Sequence, residues 1–155
     1  MGENNEKITN DWEKTFRTTS IIVLIQMFST IVLIIFGWFF AAMTDNSVSQ
    51  RAISLLWGMI ILLVVGSFIL RRVLFSWQRL QQSRRQNRLL VTLQNNTVFL
   101  GLLGVIIAIS GFLVATLSGN KFEMLRAGAV ALVVFLFNFP RKTIWQKIVA
   151  HLEKV

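Results

Sequence analysis

Residues 21–43 contain no charged side chain, and this run limits the fold of the chain more than any other feature. At ~1.5 Å per residue a helix of that length exceeds the ~30 Å of hydrocarbon in a bilayer. Inside lipid only helices and closed barrels satisfy their own backbone groups. A second apolar run covers residues 52–75 and ends with Arg71 and Arg72 at its exit, and a third, uncharged, covers 98–117. The fourth, 127–139, is short enough to be re-entrant. Phe122, Met124 and Leu125 extend its apolar face and Arg126 can snorkel to the headgroups, so a full crossing is expected. Hydrophobic residues make up 54% of the chain and charged ones 15%. With a mean hydropathy of +0.62, it is far more apolar than a soluble domain. The expected fold is all-α: a polytopic membrane protein whose four transmembrane helices form two tandem hairpins, with interfacial amphipathic helices. Its divisions are a polar lead at 1–20, hairpin one at 21–75, a basic connector at 76–97, hairpin two at 98–139 and a C-terminal amphipathic helix at 140–155.

Local signals place the joints. Ile8, Trp12 and Phe16 recur at helical spacing, and Asn10-x-x-Glu13 resembles a capping box, which predicts a short interfacial helix running into the first span. Ser47-x-x-Gln50 marks a start for the second span, and Gln94-Asn95-Asn96-Thr97 reads as a polar knot before the third. Gly119 suits a left-handed helix end, and Asn120-x-x-Glu123 can cap the fourth helix. Pro140 breaks that helix and Thr143-x-x-Gln146 restarts one. Ile144, Ile148 and Leu152 share a face of the new helix, which is expected to lie in the membrane interface. The N-terminal lead does not read as a signal peptide: it is polar and acidic, and the apolar run that follows is too long.

The net charge of +9 does not point to nucleic acid, because most of the basic residues flank apolar runs, where the positive-inside rule places them. Arg71, Arg72, Arg79, Arg84, Arg85 and Arg88 crowd the central connector. Arg141, Lys142, Lys147 and Lys154 lie in the tail, and Lys7, Lys14 and Arg17 in the lead. The other two joints hold only Arg51, Lys121 and Arg126. Both termini and the connector are therefore expected on the cytoplasmic face of a bacterial inner membrane or a thylakoid membrane. Trp12, Trp77 and Trp145 fall at that boundary as interfacial anchors, with Trp38 and Trp57 toward the other side. The arginines of the connector are expected to meet anionic headgroups or a docking partner, with Arg84, Arg85 and Arg88 in excess of what topology requires.

The two halves of the chain are alike in outline. Gly37 to Ala41 lies over Gly111 to Ala115, Arg51-Ala52 over Arg126-Ala127, and Trp77-Gln-Arg-Leu over Trp145-Gln-Lys-Ile. A tandem duplication in parallel orientation and the generic likeness of any two membrane hairpins both explain this.

Little here supports catalysis. An ionisable group within a span is the usual marker of function, and the span interiors hold none. Cysteine is absent and His151 is the one histidine, so neither a thiolate nucleophile nor a metal site can be assembled, and an enzyme, a cofactor or a bound metal is not expected. The polar residues available are Gln26, Ser29, Thr30, Ser54, Ser67, Ser110 and Thr116. Gln26 and Ser54 are the candidates for a polar path, the others for interhelical hydrogen bonds. In the third span Gly101, Gly104, Ala108, Gly111 and Ala115 form a seam of small residues, which lets another backbone approach closely. Packing within the monomer and contact with a partner subunit would both use such a seam, and Gly58 and Gly66 of the second span could meet it.

Phe16-Arg17 before the first span, Gln26 within it, the arginine-rich exit from Arg71 to Arg79 and the glycine-bearing third span after a basic helix have a combined pattern. Their order resembles the four-helix inner-envelope proteins of chloroplasts and cyanobacteria, described both as permease-in-chloroplasts and as translocon components. The resemblance implies a four-helix membrane fold and a permease or translocon role, and it carries over no site residue. On the residues themselves, the leading expectation is a non-enzymatic accessory or assembly subunit, or a homo-oligomer, acting through helix packing. A small permease or channel and a membrane-shaping protein are the alternatives.

Overall fold

The computed structural model describes residues 2–41, 50–76 and 89–153. Among these the chain is helical between short joints: α1 (Gly2–Ala41), α2 (Gln50–Leu74), α3 (Leu89–Ser118), α4 (Lys121–Asn138) and α5 (Lys142–Glu153). Three helices are long and apolar enough to cross a membrane, or up to four if α4 and α5, bent by 40° at their break, are taken as one span.

α3 is the central helix. It packs along α1 and α4 and, less closely, α2, while α4 also contacts α1. The first two spans, expected to pair as a hairpin, make little contact with each other. α3 and α4 do pair closely, so the two halves of the apparent repeat are packed differently.

The small-residue seam explains why α3 is central. A Cβ at Gly104 would lie 2.7 Å from the Phe135 ring, and one at Gly111 would run into the Ala127 Cβ, so both positions admit a close approach of α4. Gly101 faces the Gln26 amide of α1. Ala108 and Ala115 are fully buried, the latter beside Ala41 and Met124. In lipid this close packing, rather than water exclusion, holds helices together. All five seam residues are thus covered within the monomer. Gly58 and Gly66 do not meet them: no atom of the described residues lies within 4 Å of a Cβ built at either.

Several joints differ from the sequence expectation. α1 runs unbroken through Asn10-x-x-Glu13, because the helical spacing on both sides continues in phase and no cap is needed. α3 likewise runs through the expected knot. Thr97 Oγ1 turns back to the Leu93 carbonyl at 2.8 Å, and Asn96 Nδ2 reaches the Leu74 carbonyl of α2 at 3.0 Å, so neither side chain competes with the helix. The turn before α4 forms as expected, with Gly119 at φ 63° and the Asn120 side chain accepting from the Phe122 N–H at 3.0 Å. The reciprocal half of that box is missing, because Glu123 turns to Trp57 and Arg126 instead. α5 starts one residue before Thr143, with the Arg141 carbonyl accepting from Ile144 and Trp145. Ser47 lies outside the described residues.

α5 packs against the rest of the protein on its Trp145 side, while Ile144 stays 38% exposed. Its Trp145 is 1% exposed and packs with Leu93, flanked by Phe16, Phe75, Leu89 and Ile148. The Phe16 and Trp145 rings meet edge to face at 5.4 Å, and Lys142 Nζ pairs with Glu13 at 2.6 Å. Trp12, expected as an anchor, is also buried, at 8%. Both tryptophans are used as core because α1 extends past the span and gives α5 a protein surface to cover. Trp77 lies outside the described residues.

Candidate functional site

The densest polar arrangement lies where α4 gives way to α5. Pro140 has no N–H, so the helix cannot continue its hydrogen bonds across it, and the preceding Phe139 takes an extended conformation (φ −58°, ψ 133°). The last carbonyls of α4 therefore need other donors. The Arg71 guanidinium supplies one, donating to the Phe137 carbonyl. A cation placed at a helix C-terminus also complements the negative end of the helix dipole. On the other side Asn96 Nδ2 serves the Leu74 carbonyl at the end of α2. Two helix ends are thus satisfied by side chains of neighbouring helices.

Asn138, two residues before the proline, was not singled out in the sequence because it sits between two phenylalanines in an apolar run. The signal was there: an amide within the last turn of a span, next to a helix breaker. Asn138 is 8% exposed, and its Oδ1 has no hydrogen-bond partner. It lines a cavity of about 210 Å³ together with Arg71, Thr97, Pro140, Arg141 and Trp145. Among the described residues no acidic side chain lines this cavity. Neither Arg71 nor Arg141 belongs to an ion pair among the described residues, where the salt bridges are Arg126 to Glu123 and Lys142 to Glu13.

The remaining candidates are dispersed. Of the basic docking set, Arg71 is partly buried at this site and Arg72 is exposed, while Arg79, Arg84, Arg85 and Arg88 lie outside the described residues. Gln26 and Ser54 lie on α1 and α2, which make little contact with each other within the monomer. Gln26 Nε2 reaches the Val98 carbonyl at 3.5 Å, with its Oε1 buried against Gly101. Ser54 is exposed on α2 and bonded to its own Gln50 carbonyl at 3.1 Å. No family model, curated protein or solved structure matches the chain. The resemblance to the inner-envelope proteins therefore rests on the quoted residues alone.

At the other end of the bundle a second cluster joins α1, α2 and α4. Trp57 Nε1 donates to Glu123 Oε2 at 2.8 Å, and Glu123 Oε1 holds Arg126 at 3.0 Å. Lys121 Nζ sits 5.0 Å from the centre of the Trp38 ring. Each group here is satisfied by a neighbour, so the cluster reads as a helix tie.

Proposed function

We propose that the chain is a non-enzymatic integral membrane protein that serves as an accessory or assembly subunit, with α2 as the helix it offers to a partner. It crosses the membrane four times, with α4 as the short fourth span and α5 beyond it, and both termini are cytoplasmic. The observation that carries this reading is the contrast between two sets of glycines. Those of α3 are consumed inside the monomer, whereas Gly58 and Gly66 of α2 face open space. Glycine offers no helix propensity and no side-chain packing, so its natural use on a span is close approach by another helix. α2 is also the least buried of the three long spans. The permease alternative has no such support, since Gln26 and Ser54 sit on helices that barely touch.

The absence of cysteine makes the test direct, because any introduced thiol is the sole one. Gly58→Cys and Gly66→Cys are expected to give a defined crosslinked adduct in native membranes. Phe28→Cys on α1 and Leu136→Cys on α4, 66% and 64% exposed in the parent residues, are expected to give none. Equal crosslinking at all four positions, or none at the glycines, would overturn the reading.

A further inference from the structure

The cavity at the Pro140 elbow carries an inference of its own, independent of the partner reading. We infer that it is a binding site for a phosphate oxyanion, of the kind carried by a phospholipid headgroup or by a free phosphate. Arg71 and Arg141 both face the cavity, and no acid among the described residues does. Two guanidinium groups beside one recess repel each other unless an anion is shared between them, and the planar fork of arginine matches phosphate oxygens in particular. Arg71 uses one terminal nitrogen on the Phe137 carbonyl. A guanidinium has five N–H donors, so others are left for an anion.

Asn138 constrains the occupant further. Its buried, unpartnered Oδ1 is an acceptor, satisfied by a donor such as a hydroxyl carried beside the phosphate or the protonated oxygen of a hydrogen phosphate, and not by a bare oxyanion oxygen. An amide offers a donor to an oxyanion and an acceptor to a hydroxyl or ammonium on the same ligand. Nearby polar groups are already committed: Thr97 Oγ1 to Leu93 and Asn96 Nδ2 to Leu74. The volume, about 210 Å³, falls below the ~300–1,000 Å³ of pockets for drug-sized ligands, which favours a small charged group. Position agrees as well. The site is at the arginine-bearing end of α2, where anionic headgroups would lie, and Phe75, Leu100 and Ile144 give its wall an apolar part.

The test uses the full chain purified in detergent. Melting is followed by tryptophan fluorescence and retained lipid by native mass spectrometry, during titration with phosphatidylglycerol, phosphatidylcholine or inorganic phosphate. Saturable stabilisation by phosphatidylglycerol, exceeding that by phosphatidylcholine, is expected for a headgroup site. Saturable stabilisation by inorganic phosphate alone, at millimolar concentration, would instead identify a free oxyanion as the occupant. Arg141→Gln should weaken the observed binding at least tenfold, and Asn138→Asp, which keeps the shape and adds a repelling charge, should abolish it. Lys147→Gln, an exposed cation on the same helix, should leave it unchanged. Because Arg71 also ties α2 to α4, Arg141→Gln is the deciding variant. The inference is overturned if neither phosphatidylglycerol nor phosphate binds saturably, or if Lys147→Gln weakens binding as much as Arg141→Gln.

Discussion

Glycine has opposite consequences at Gly111 and Gly58. At Gly111 the missing side chain is what lets α3 meet Ala127 of α4, whereas at Gly58 no atom lies within 4 Å of where a Cβ would be. Gly111→Leu should therefore force the two helices apart and cost about 1–3 kcal/mol or more, the ordinary range for overpacking. Gly58→Leu should leave the isolated protein within about 0.5 kcal/mol of wild type. Thermal denaturation of the purified variants measures both, and equal losses would contradict the seam described for α3. A sequence can show that both residues are small, and the spacing of Gly101, Gly104, Ala108, Gly111 and Ala115 marked α3 as a packing surface. It does not show what fills each gap, because Gln26, Phe135 and Ala127 come from distant positions. Asn138 was hidden for the converse reason: its neighbours are phenylalanines, and only the tertiary structure brings Arg71 to the same cavity.

Among the elements, α2 is packed into the core at its middle, where Ile60 is 1% exposed, and is tied to its neighbours by side-chain hydrogen bonds at both ends. Trp57 ties it to Glu123 of α4 at one end. At the other, Arg71 binds the Phe137 carbonyl and Asn96 the Leu74 carbonyl. Phe68 and Phe137 add an edge-to-face contact at 5.5 Å. Interhelical hydrogen bonds in membrane proteins average ~0.6 kcal/mol and reach ~1.7. A double-mutant cycle of Trp57→Phe and Glu123→Ala should accordingly give a coupling of about 0.6–1.7 kcal/mol. A coupling of zero would mean that the two side chains do not hold each other in the folded protein. The three long apolar helices, and the Gly119-Asn120 joint, were legible from apolar run length and turn chemistry. Helix pairing was not, since lipid-facing and protein-facing apolar surfaces have the same composition. Trp145 shows the same limit: a tryptophan beside basic residues reads as an interfacial anchor whether headgroups or a neighbouring helix cover it.

At the scale of the whole molecule, the bundle has a packed layer beyond its spans. α1 is 40 residues long, about 60 Å at ~1.5 Å per residue, twice the ~30 Å of hydrocarbon. Its first half must therefore project from one face. α5 covers that projection through Phe16, Trp145 and the Glu13–Lys142 pair, with Leu93 at the start of α3 completing the layer. Water exclusion contributes here as it cannot within lipid. The layer also constrains topology, because a helix packed on the projecting part of α1 has to share its side of the membrane. On the proposed orientation, with the basic flanks cytoplasmic, Lys14→Cys and Lys147→Cys, both at exposed positions, should react with a membrane-impermeant maleimide from the cytoplasmic face. Gln50→Cys, exposed at the start of α2, should react from the opposite face. If Lys147→Cys and Lys14→Cys label from opposite faces, α4 does not complete a crossing and the packed layer cannot form. If they label together, an even number of crossings follows, and the short fourth span must be one of them.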